Sequence, residues 1–190
     1  MEVFKMIVGL KYQGHVYLAV DNQNSNLIGL SKKDLSNPNN LKLWSPREHT
    51  IIASNDESRA IDLLRYENLF DECIDTKTLQ LFTADKIRDI LKKYDKFKDK
   101  TLNGQYLFAY KDKLYNMDLQ TLVTEYKYYR ALGEASQAMI SYLHKTKNSD
   151  MDPINRLKEG FKICGSYTHK MLFPIYVMNT KDFLIHTIFE

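Results

Sequence analysis

The sequence predicts an α+β protein in which strands from the N- and C-terminal regions share one mixed or antiparallel sheet, with helices packed on one face and one long central helix. Three observations predict this class: β-branched and aromatic runs near both ends, helical periodicity in the middle, and turn residues between the runs. Hydrophobic residues make up 44% and charged residues 27%, as in folded globular proteins. We expect residues 1–190 to form a single compact domain.

The chain opens with a predicted β-hairpin. Residues 3–12 and 15–20 are β-branched and aromatic runs, and Gln13 and Gly14 between them suit a tight turn. Residues 21–26 predict a polar turn and lack the further acids and the glycine that a calcium loop needs. A third short strand is expected at residues 27–30.

The next segment, residues 36–70, combines loop, helix and strand patterns. Residues 36–40 are rich in Asn, Pro and Ser and predict a loop. Residues 45–48 have the Ser-Pro-x-Glu pattern of a helix start, whereas residues 49–53 have the composition of a strand, and both alternatives stay open. A second capping-box pattern predicts an acidic helix over residues 54–70.

A lysine-rich helix is predicted in the middle of the chain. Thr83 is its expected N-cap, and apolar residues recur at helical spacing from Ala84 to about Lys98. Asn103 and Gly104 then end the pattern. Residues 106–115 predict a second hairpin that turns at Lys-Asp-Lys.

The strongest periodic signal predicts one helix from Asp118 to Lys145. Eight residues recur at alternating spacings of three and four, which places them on one helical face. They are Leu119, Leu122, Tyr126, Tyr129, Gly133, Ser136, Ile140 and Leu143. An unbroken helix would be about 40 Å long, and a break at Gly133 is the alternative.

The C-terminal part predicts a helix followed by strands. Asp152 is the expected N-cap of a helix from Pro153 to Cys164, which Gly165 ends. Residues 171–178 and 183–189 return to β character, separated by a polar turn.

Charge is unevenly distributed along the chain, although the net charge is only +3. Residues 46–76 contain three Arg and eight acids, a net charge of −5, whereas residues 86–147 contain eleven Lys, two Arg and seven acids, a net charge of +6. The two segments either face each other or are solvated, or the basic one forms a surface for an anionic partner. The candidate binding residues on such a surface are Lys92, Lys93, Lys96, Lys127, Tyr128 and Arg130.

Catalytic motifs are absent. The sequence has no phosphate-binding loop, dinucleotide fingerprint, zinc-hydrolase motif, paired Cys-x-x-Cys or Gly-x-Ser-x-Gly. Two acid-x-Lys matches, at Asp75 and Glu125, are no more than chance provides. His144 and His169 are candidates for a metal-independent nuclease. We therefore expect no cofactor and no metal, and we expect that the protein is not an enzyme.

The cellular compartment is predicted to be the cytoplasm. No apolar run approaches the roughly 20 residues of a membrane helix, and the N-terminal apolar run is too short for a signal peptide. Cys73 and Cys164 are expected as reduced thiols.

Three hypotheses about function follow. The first is a non-enzymatic binding protein with a macromolecular partner, protein favoured over nucleic acid; a phage or mobile-element accessory protein that inhibits a host factor suits the size and the AT-rich codon bias. The second is a nucleic-acid-binding protein, and the third is a metal-independent ribonuclease. A homodimer through the long helix is also compatible with the stripe.

Overall fold

The structure is a computed structural model and describes residues 6–21, 43–47, 50–54, 76–93, 104–118, 122–168 and 173–190. Ten strands and three helices lie in these ranges. The strands are β1 (Ile7–Tyr12), β2 (His15–Asp21), β3 (Leu43–Arg47), β4 (Thr50–Ser54), β5 (Tyr106–Tyr110), β6 (Lys113–Met117), β7 (Val123–Tyr126), β8 (Tyr129–Leu132), β9 (Ile175–Asn179) and β10 (Ile185–Ile188). The helices are α1 (Thr76–Lys93), α2 (Ser136–Lys145) and α3 (Pro153–Thr168).

The strands form two five-stranded antiparallel sheets. The first sheet has the order β10-β9-β2-β1-β8, and the second has the order β3-β4-β5-β6-β7. The N- and C-terminal strands meet in the first sheet, where β2 pairs with β9 and Leu18 lies opposite Met178. This confirms the predicted class and the predicted sharing of one sheet by both ends of the chain.

The two sheets pack face to face, with an apolar core between them. Alternate residues of the first sheet enter this core, among them Ile7, Leu18 and Val20, because side chains alternate across a strand. Gly9 allows the close approach of the sheets, since a Cβ added there would lie 2.5 Å from Cδ1 of Leu114 on β6.

The other face of the first sheet is covered by α2 and α3. Its core members from the strands are Val8, Leu10, Ala19 and Val177, and those from the helices are Met139, Leu143, Leu157 and Phe161. The helix α1 contacts β7 of the second sheet and buries Ile87 and Leu91. Each helix therefore lies beside a sheet and buries one apolar stripe.

The ends of the sandwich differ. At one end, which we call the turn end, lie the connection of β1 to β2, that of β5 to β6 and that of β9 to β10, and hydrogen bonds of Asp112 join them. Gln13 and Gly14 have positive φ values of 46° and 86° in the first of these turns, a conformation that suits glycine. At the opposite end, which we call the open end, β1 begins and β2 ends.

The predicted hairpins are confirmed. β1 and β2 pair around Gln13 and Gly14, and β5 and β6 pair around Lys111 and Asp112. The predicted segment 171–178 overlaps β9, which continues to Asn179, and the segment 183–189 contains β10. Residues 49–53, which had strand composition, lie largely in β4, and residues 45–47 belong to β3, so the helix alternative there is wrong.

The continuous helix from Asp118 to Lys145 is wrong. Residues 123–126 and 129–132 form β7 and β8, and only Ser136–Lys145 is helical. Val, Thr and Tyr favour strands, and pairing of β7 with β6 and of β8 with β1 outweighs the helical spacing. The chain breaks at Gly133, whose φ of 113° no helix contains.

Helix ends also differ from prediction. Thr83 lies inside α1, which begins at Thr76, so it is not an N-cap. The predicted N-cap of α3 is confirmed, because the Asp152 side chain accepts the N–H of Asn155 at 3.0 Å. Gly165 does not end α3, which continues to Thr168.

Several predicted elements lie outside the described residues: the strand at 27–30, the loop at 36–40, Cys73 and the helix at 54–70 except Ser54, which ends β4. Within the described ranges, none of the helices combines the length and apolar character required to span a bilayer.

Candidate active site

A buried carboxylate lies at the open end of the first sheet, where β1 starts. Oδ2 of Asp21, the last residue of β2, accepts a hydrogen bond from the backbone N–H of Met6 at 3.1 Å. The N–H of Asp21 donates to the Met6 carbonyl at 3.3 Å. Asp21 is only 7% exposed. It therefore satisfies a backbone donor that would otherwise be buried without a partner where the strand begins.

The beginning of α2 adjoins the same end of the sheet. Ile7 lies opposite Leu132 at the end of β8, and the chain then turns through Gly133 into α2. Ala135, at the N-cap position, has no side-chain capping bond. The open end thus combines a strand start, a carboxylate and the N–H groups of a helix start, which are groups that can orient a polypeptide backbone.

A nucleophilic side chain is missing from the start of β1. The residues from Met1 to Asn24 include no Ser, Thr or Cys, and the first aliphatic hydroxyl in the sequence is that of Ser25. Nucleophilic catalysis at this position needs a side-chain hydroxyl or thiol that an adjacent amine or another base can activate. Cleavage before Ser25 would remove β1 and β2, which are central in the first sheet. β1 therefore offers no nucleophile of this kind.

The Cys164 thiol is not a substitute. It is fully buried on α3, and its Sγ lies 3.7 Å from the carbonyl oxygen of Ala135. Burial raises the pKa of Cys164 to about 12. Because the thiolate is the reactive form, this thiol is inert near neutral pH.

A second polar cluster lies at the turn end and joins the two sheets. The Thr180 hydroxyl donates to Oδ1 of Asp112 and accepts the N–H of Val16 at 3.0 Å. Nδ1 of His15 lies 3.4 Å from the same Asp112 oxygen. The cluster contains the residue types of a catalytic triad, but the hydroxyl donates to the carboxylate and not to the imidazole. Among the described residues, no imidazole accepts the proton of this hydroxyl, and the cluster joins the two sheets.

The predicted binding residues are divided between two places. Lys127 and Tyr128 are exposed in the connection from β7 to β8, with Lys127 Nζ 5.2 Å from the Tyr128 ring centroid. Arg130 lies 5.2 Å over the Tyr126 ring, and its Nε is buried without a hydrogen-bond partner. Lys92 and Lys93 are exposed in the last turn of α1. Lys96 is outside the described residues.

One of the two candidate nuclease histidines can be located. Nδ1 of His144 lies 2.7 Å from the hydroxyl of Tyr129, and the two rings meet edge to face. His169 lies outside the described residues. Among the residues that are described, His, Cys, Asp and Glu form no group of three or more that could hold a metal ion.

Sequence reasoning missed the polar residues that the fold brings together, namely Asp21, Asp112 and Thr180. Asp21 was interpreted as the first residue of a polar turn, and the structure makes it the end of β2. The sequence signal for Asp21 was its position directly after an apolar run, because a strand often reaches the edge of the core at such a residue. The partners of Asp112 are 68 and 97 residues away in sequence, and no local pattern indicates them.

Comparisons with known proteins identify the fold. No protein-family model and no curated protein matches this chain. A structure of Thiobacillus denitrificans BPH in complex with epoxomicin matches with a TM-score of 0.75 at 13% identity, over 97% of this chain and 100% of that chain. Anbu, described as an ancestral beta-subunit, from Yersinia bercovieri matches with a TM-score of 0.70 at 13% identity, over 97% of this chain and 87% of that chain.

A third solved structure, eukaryotic HslV from Trypanosoma brucei, matches with a TM-score of 0.69 at 15% identity, over 92% of this chain and 98% of that chain. These solved structures share the fold of this chain at 13–15% identity. The hypotheses of a non-enzymatic binder, a phage accessory inhibitor, a nucleic-acid-binding protein and a metal-independent ribonuclease are therefore wrong, because the solved structures that share this fold are BPH, Anbu and HslV. Anbu is described as a subunit, which agrees with the expectation of protein partners.

Proposed function

We propose that this chain is a proteasome-type subunit, a single domain of residues 1–190 that works in the cytoplasm as one copy in an assembly of identical chains. The observation that carries the proposal is the fold match with BPH, which extends over 97% of this chain and the whole of the other. A match of this extent includes both sheets and the helices beside them. Because one fold can serve many functions, the proposal also needs support from the surface of the protein.

Support comes from exposed apolar side chains on three separate parts of the surface. One pair lies in or next to the connection that leads through β7 to β8, one on α3, and one at the two ends of β10. These pairs are Leu122 and Tyr128, Ile163 and Tyr167, and Leu184 and Phe189, with exposed fractions from 36% to 72%. A ring of identical subunits needs two different contact surfaces on each copy, whereas a simple dimer needs one. Exposed apolar side chains on three parts of the surface therefore suit a ring better than a simple dimer.

The test is the mass of the protein in solution. We expect light scattering after size-exclusion chromatography to give a multiple of the 22.4 kDa chain mass, and native mass spectrometry to give its copy number. Tyr167→Glu and Phe189→Glu are expected to reduce the copy number, because they place a charge in an apolar contact. Lys147→Glu, also at an exposed position, is the matched control and is expected to leave it unchanged. A monomer at every concentration would overturn the proposal.

The proposal includes a statement about chemistry at the open end. BPH is found in complex with epoxomicin. We expect no covalent adduct of epoxomicin on this chain, because no hydroxyl or thiol lies at the start of β1. Intact-mass spectrometry after incubation measures this, with BPH as the positive control for the compound and the conditions. An added mass located by peptide mapping to residues 1–24 would contradict this part of the proposal.

A further inference from the structure

Within the described ranges, the two sheets end in four edge strands, namely β3, β7, β8 and β10. Proteins protect such edges with charged side chains, proline or bulges, because an open edge can pair with another chain. β3 contains Pro46 and a register shift, β7 contains Glu125, and β8 contains Arg130. Residues 184–189, which include β10, contain no Lys, Arg, Asp, Glu or Pro. β10 therefore lacks the protection that the other three edges have.

The hydrogen bonds of β9 show which way each backbone group of this strand points. The N–H of Thr180 donates to the Val16 carbonyl at 2.9 Å, which makes these residues a hydrogen-bonded pair in the ladder of β2 and β9. In an antiparallel ladder such pairs recur at every second residue. Met178 therefore directs its N–H and C=O toward β2, and Val177 directs them toward β10.

The same alternation identifies the backbone groups on the outer side of β10. Val177 lies opposite His186, so the backbone groups of His186 point to β9. Those of Ile185 and Thr187 point away from the sheet, and the next residue in this alternation is Phe189, directly after β10. Among the described residues, no strand pairs with this outer side. It therefore offers a row of N–H and C=O groups to a further strand.

The outer side of β10 is complementary to itself. Two copies of β10 can lie antiparallel about a two-fold axis at Thr187, which places Thr187 opposite Thr187 and Ile185 opposite Phe189. In this register the outward N–H and C=O groups of all three residues have partners in the other copy.

The side chains along this edge also suit the pairing. Thr opposite Thr and Ile opposite Phe are cross-strand pairs that stabilise sheets, and no like charges face each other. Phe189 is 67% exposed in one copy, and Ile185 is half-buried against the core between the sheets. Contact of Phe189 with Ile185 of the other copy removes apolar area from water.

We propose that β10 pairs antiparallel with β10 of a second copy, centred on Thr187, so that the first sheets of two copies form one continuous sheet. This inference rests on the proposed assembly and names one of its contacts. The contact is two-fold and joins copies in pairs, whereas closure of a ring uses two different surfaces. It therefore uses one of the three exposed apolar areas and leaves the other two for the ring.

The decisive experiment uses the two-fold axis, which places Thr187 opposite the same residue of the other copy. Thr187→Lys and Thr187→Glu each put two like charges at the centre of the pairing, and the Thr187 side chain is exposed in a single copy. In sedimentation velocity of the full-length protein, we expect each variant alone to associate at least about tenfold more weakly than the wild type. An equimolar mixture of the two variants is expected to regain association, because lysine then lies opposite glutamate.

The matched control is Thr124→Lys, which makes the same substitution at an exposed threonine of the edge strand β7. It is expected to leave association unchanged. A second measurement needs no variant, namely amide hydrogen exchange of the wild type at low and high protein concentration. We expect the amides of Ile185, Thr187 and Phe189 to exchange at least about tenfold more slowly at high concentration, because they are hydrogen-bonded only in the pair. The amide of His186 points to β9 and is expected to change little.

The outcomes separate this inference from the proposed function. An assembly that keeps its copy number in both Thr187 variants overturns the contact and leaves the proposed function standing. A wild type that is monomeric at every concentration overturns both. Loss of association in both variants without recovery in the mixture shows that the substitutions act within a single copy and overturns the inference.

The exchange measurement distinguishes other occupants of the same edge. Slow exchange that does not depend on protein concentration assigns the outer side of β10 to a segment of the same copy and overturns the inference. Slow exchange that appears only after addition of a peptide of alternating Thr and Val assigns the edge to a different extended chain and also overturns it.

Discussion

Asp21 shows how a single side chain can stabilise the start of a strand. Its carboxylate accepts the N–H of Met6 inside the protein, where water is not available as an alternative partner. The hydrogen bond matters more for the buried donor that it satisfies than for the energy of the bond itself.

The effect of replacing Asp21 on stability therefore depends on whether the new side chain still provides a hydrogen-bond acceptor. We expect Asp21→Ala to lower the free energy of unfolding by about 1–3 kcal/mol, because the Met6 N–H is left without its acceptor. Asp21→Asn keeps a carbonyl oxygen at the same position and is expected to lose less. Urea denaturation measures both. Equal losses for the two variants would show that the negative charge, and not the acceptor, is what stabilises the strand start.

Cys164 gives a prediction about reactivity and pH. Because burial raises the pKa of its thiol to about 12, we expect no reaction with a thiol reagent at pH 8 until the protein unfolds. A folded-state pKa above the unfolded one stabilises the protein fully below about pH 9, and this contribution is lost as the pH rises toward 12.

The matching measurement is the stability difference between the wild type and Cys164→Ala. We expect the wild type to lose stability relative to Cys164→Ala by up to about 1.4 kcal/mol for each pH unit above 9. A difference that stays constant between pH 8 and pH 10.5 would argue that the thiol is solvated.

At the level of elements, the contact between α2 and α3 depends on one glycine. A Cβ added at Gly160 would lie 2.5 Å from Sδ of Met139 and 3.1 Å from Cδ1 of Tyr142. Met139 is fully buried, so it has little room to move away.

We expect Gly160→Ala to lower the free energy of unfolding by about 1–3 kcal/mol, although alanine is the better helix former. Thermal denaturation measures the loss. Ser166→Ala, at an exposed position of the same helix, is the control and is expected to change stability by less than about 0.5 kcal/mol. A stabilised Gly160→Ala protein would mean that the helices can separate at low cost.

The segment from 118 to 132 shows why periodicity can mislead at this level. Its apolar residues recur at spacings of three and four, but Val123 is paired with Met117 and Tyr129 with Leu10. β7 and β8 are edge strands, and each pairs on one side with a strand from another part of the chain. An isolated helical pattern contains no information about those partners.

At the level of the whole molecule, the two sheets are held together by their apolar core and by the polar cluster at the turn end. Asp112 lies on the second sheet's turn and bonds to Thr180 and His15 on the first. We expect Asp112→Ala to lower the free energy of unfolding by about 1–3 kcal/mol, because the Thr180 hydroxyl loses its acceptor. Asp150→Ala, at an exposed position, is the control. Equal melting temperatures for the wild type and Asp112→Ala would show that the cluster forms without stabilising the packing of the two sheets.

The revised function also belongs to the whole molecule. The absence of catalytic motifs led to the expectation of a binding protein. Those motifs belong to other folds, so their absence says nothing about the fold found here. The arrangement of two sheets between helices is what relates this chain to BPH, Anbu and HslV at 13–15% identity. Sequence patterns do not retain that relationship, since many different apolar residues can fill the same core.

What the sequence determined by itself is local: the hairpin turns at Gln13–Gly14 and Lys111–Asp112, the Asp152 cap of α3, and the β character of both ends. Each depends on residues within a few positions of one another, so backbone preference and capping decide it. The tertiary structure alone decided that residues 123–126 and 129–132 form strands, that Asp21 is buried beside Met6, and that Asp112 bonds to Thr180 and His15. These outcomes depend on contacts between residues far apart in the chain, and such contacts exist only after the sheets have paired and packed.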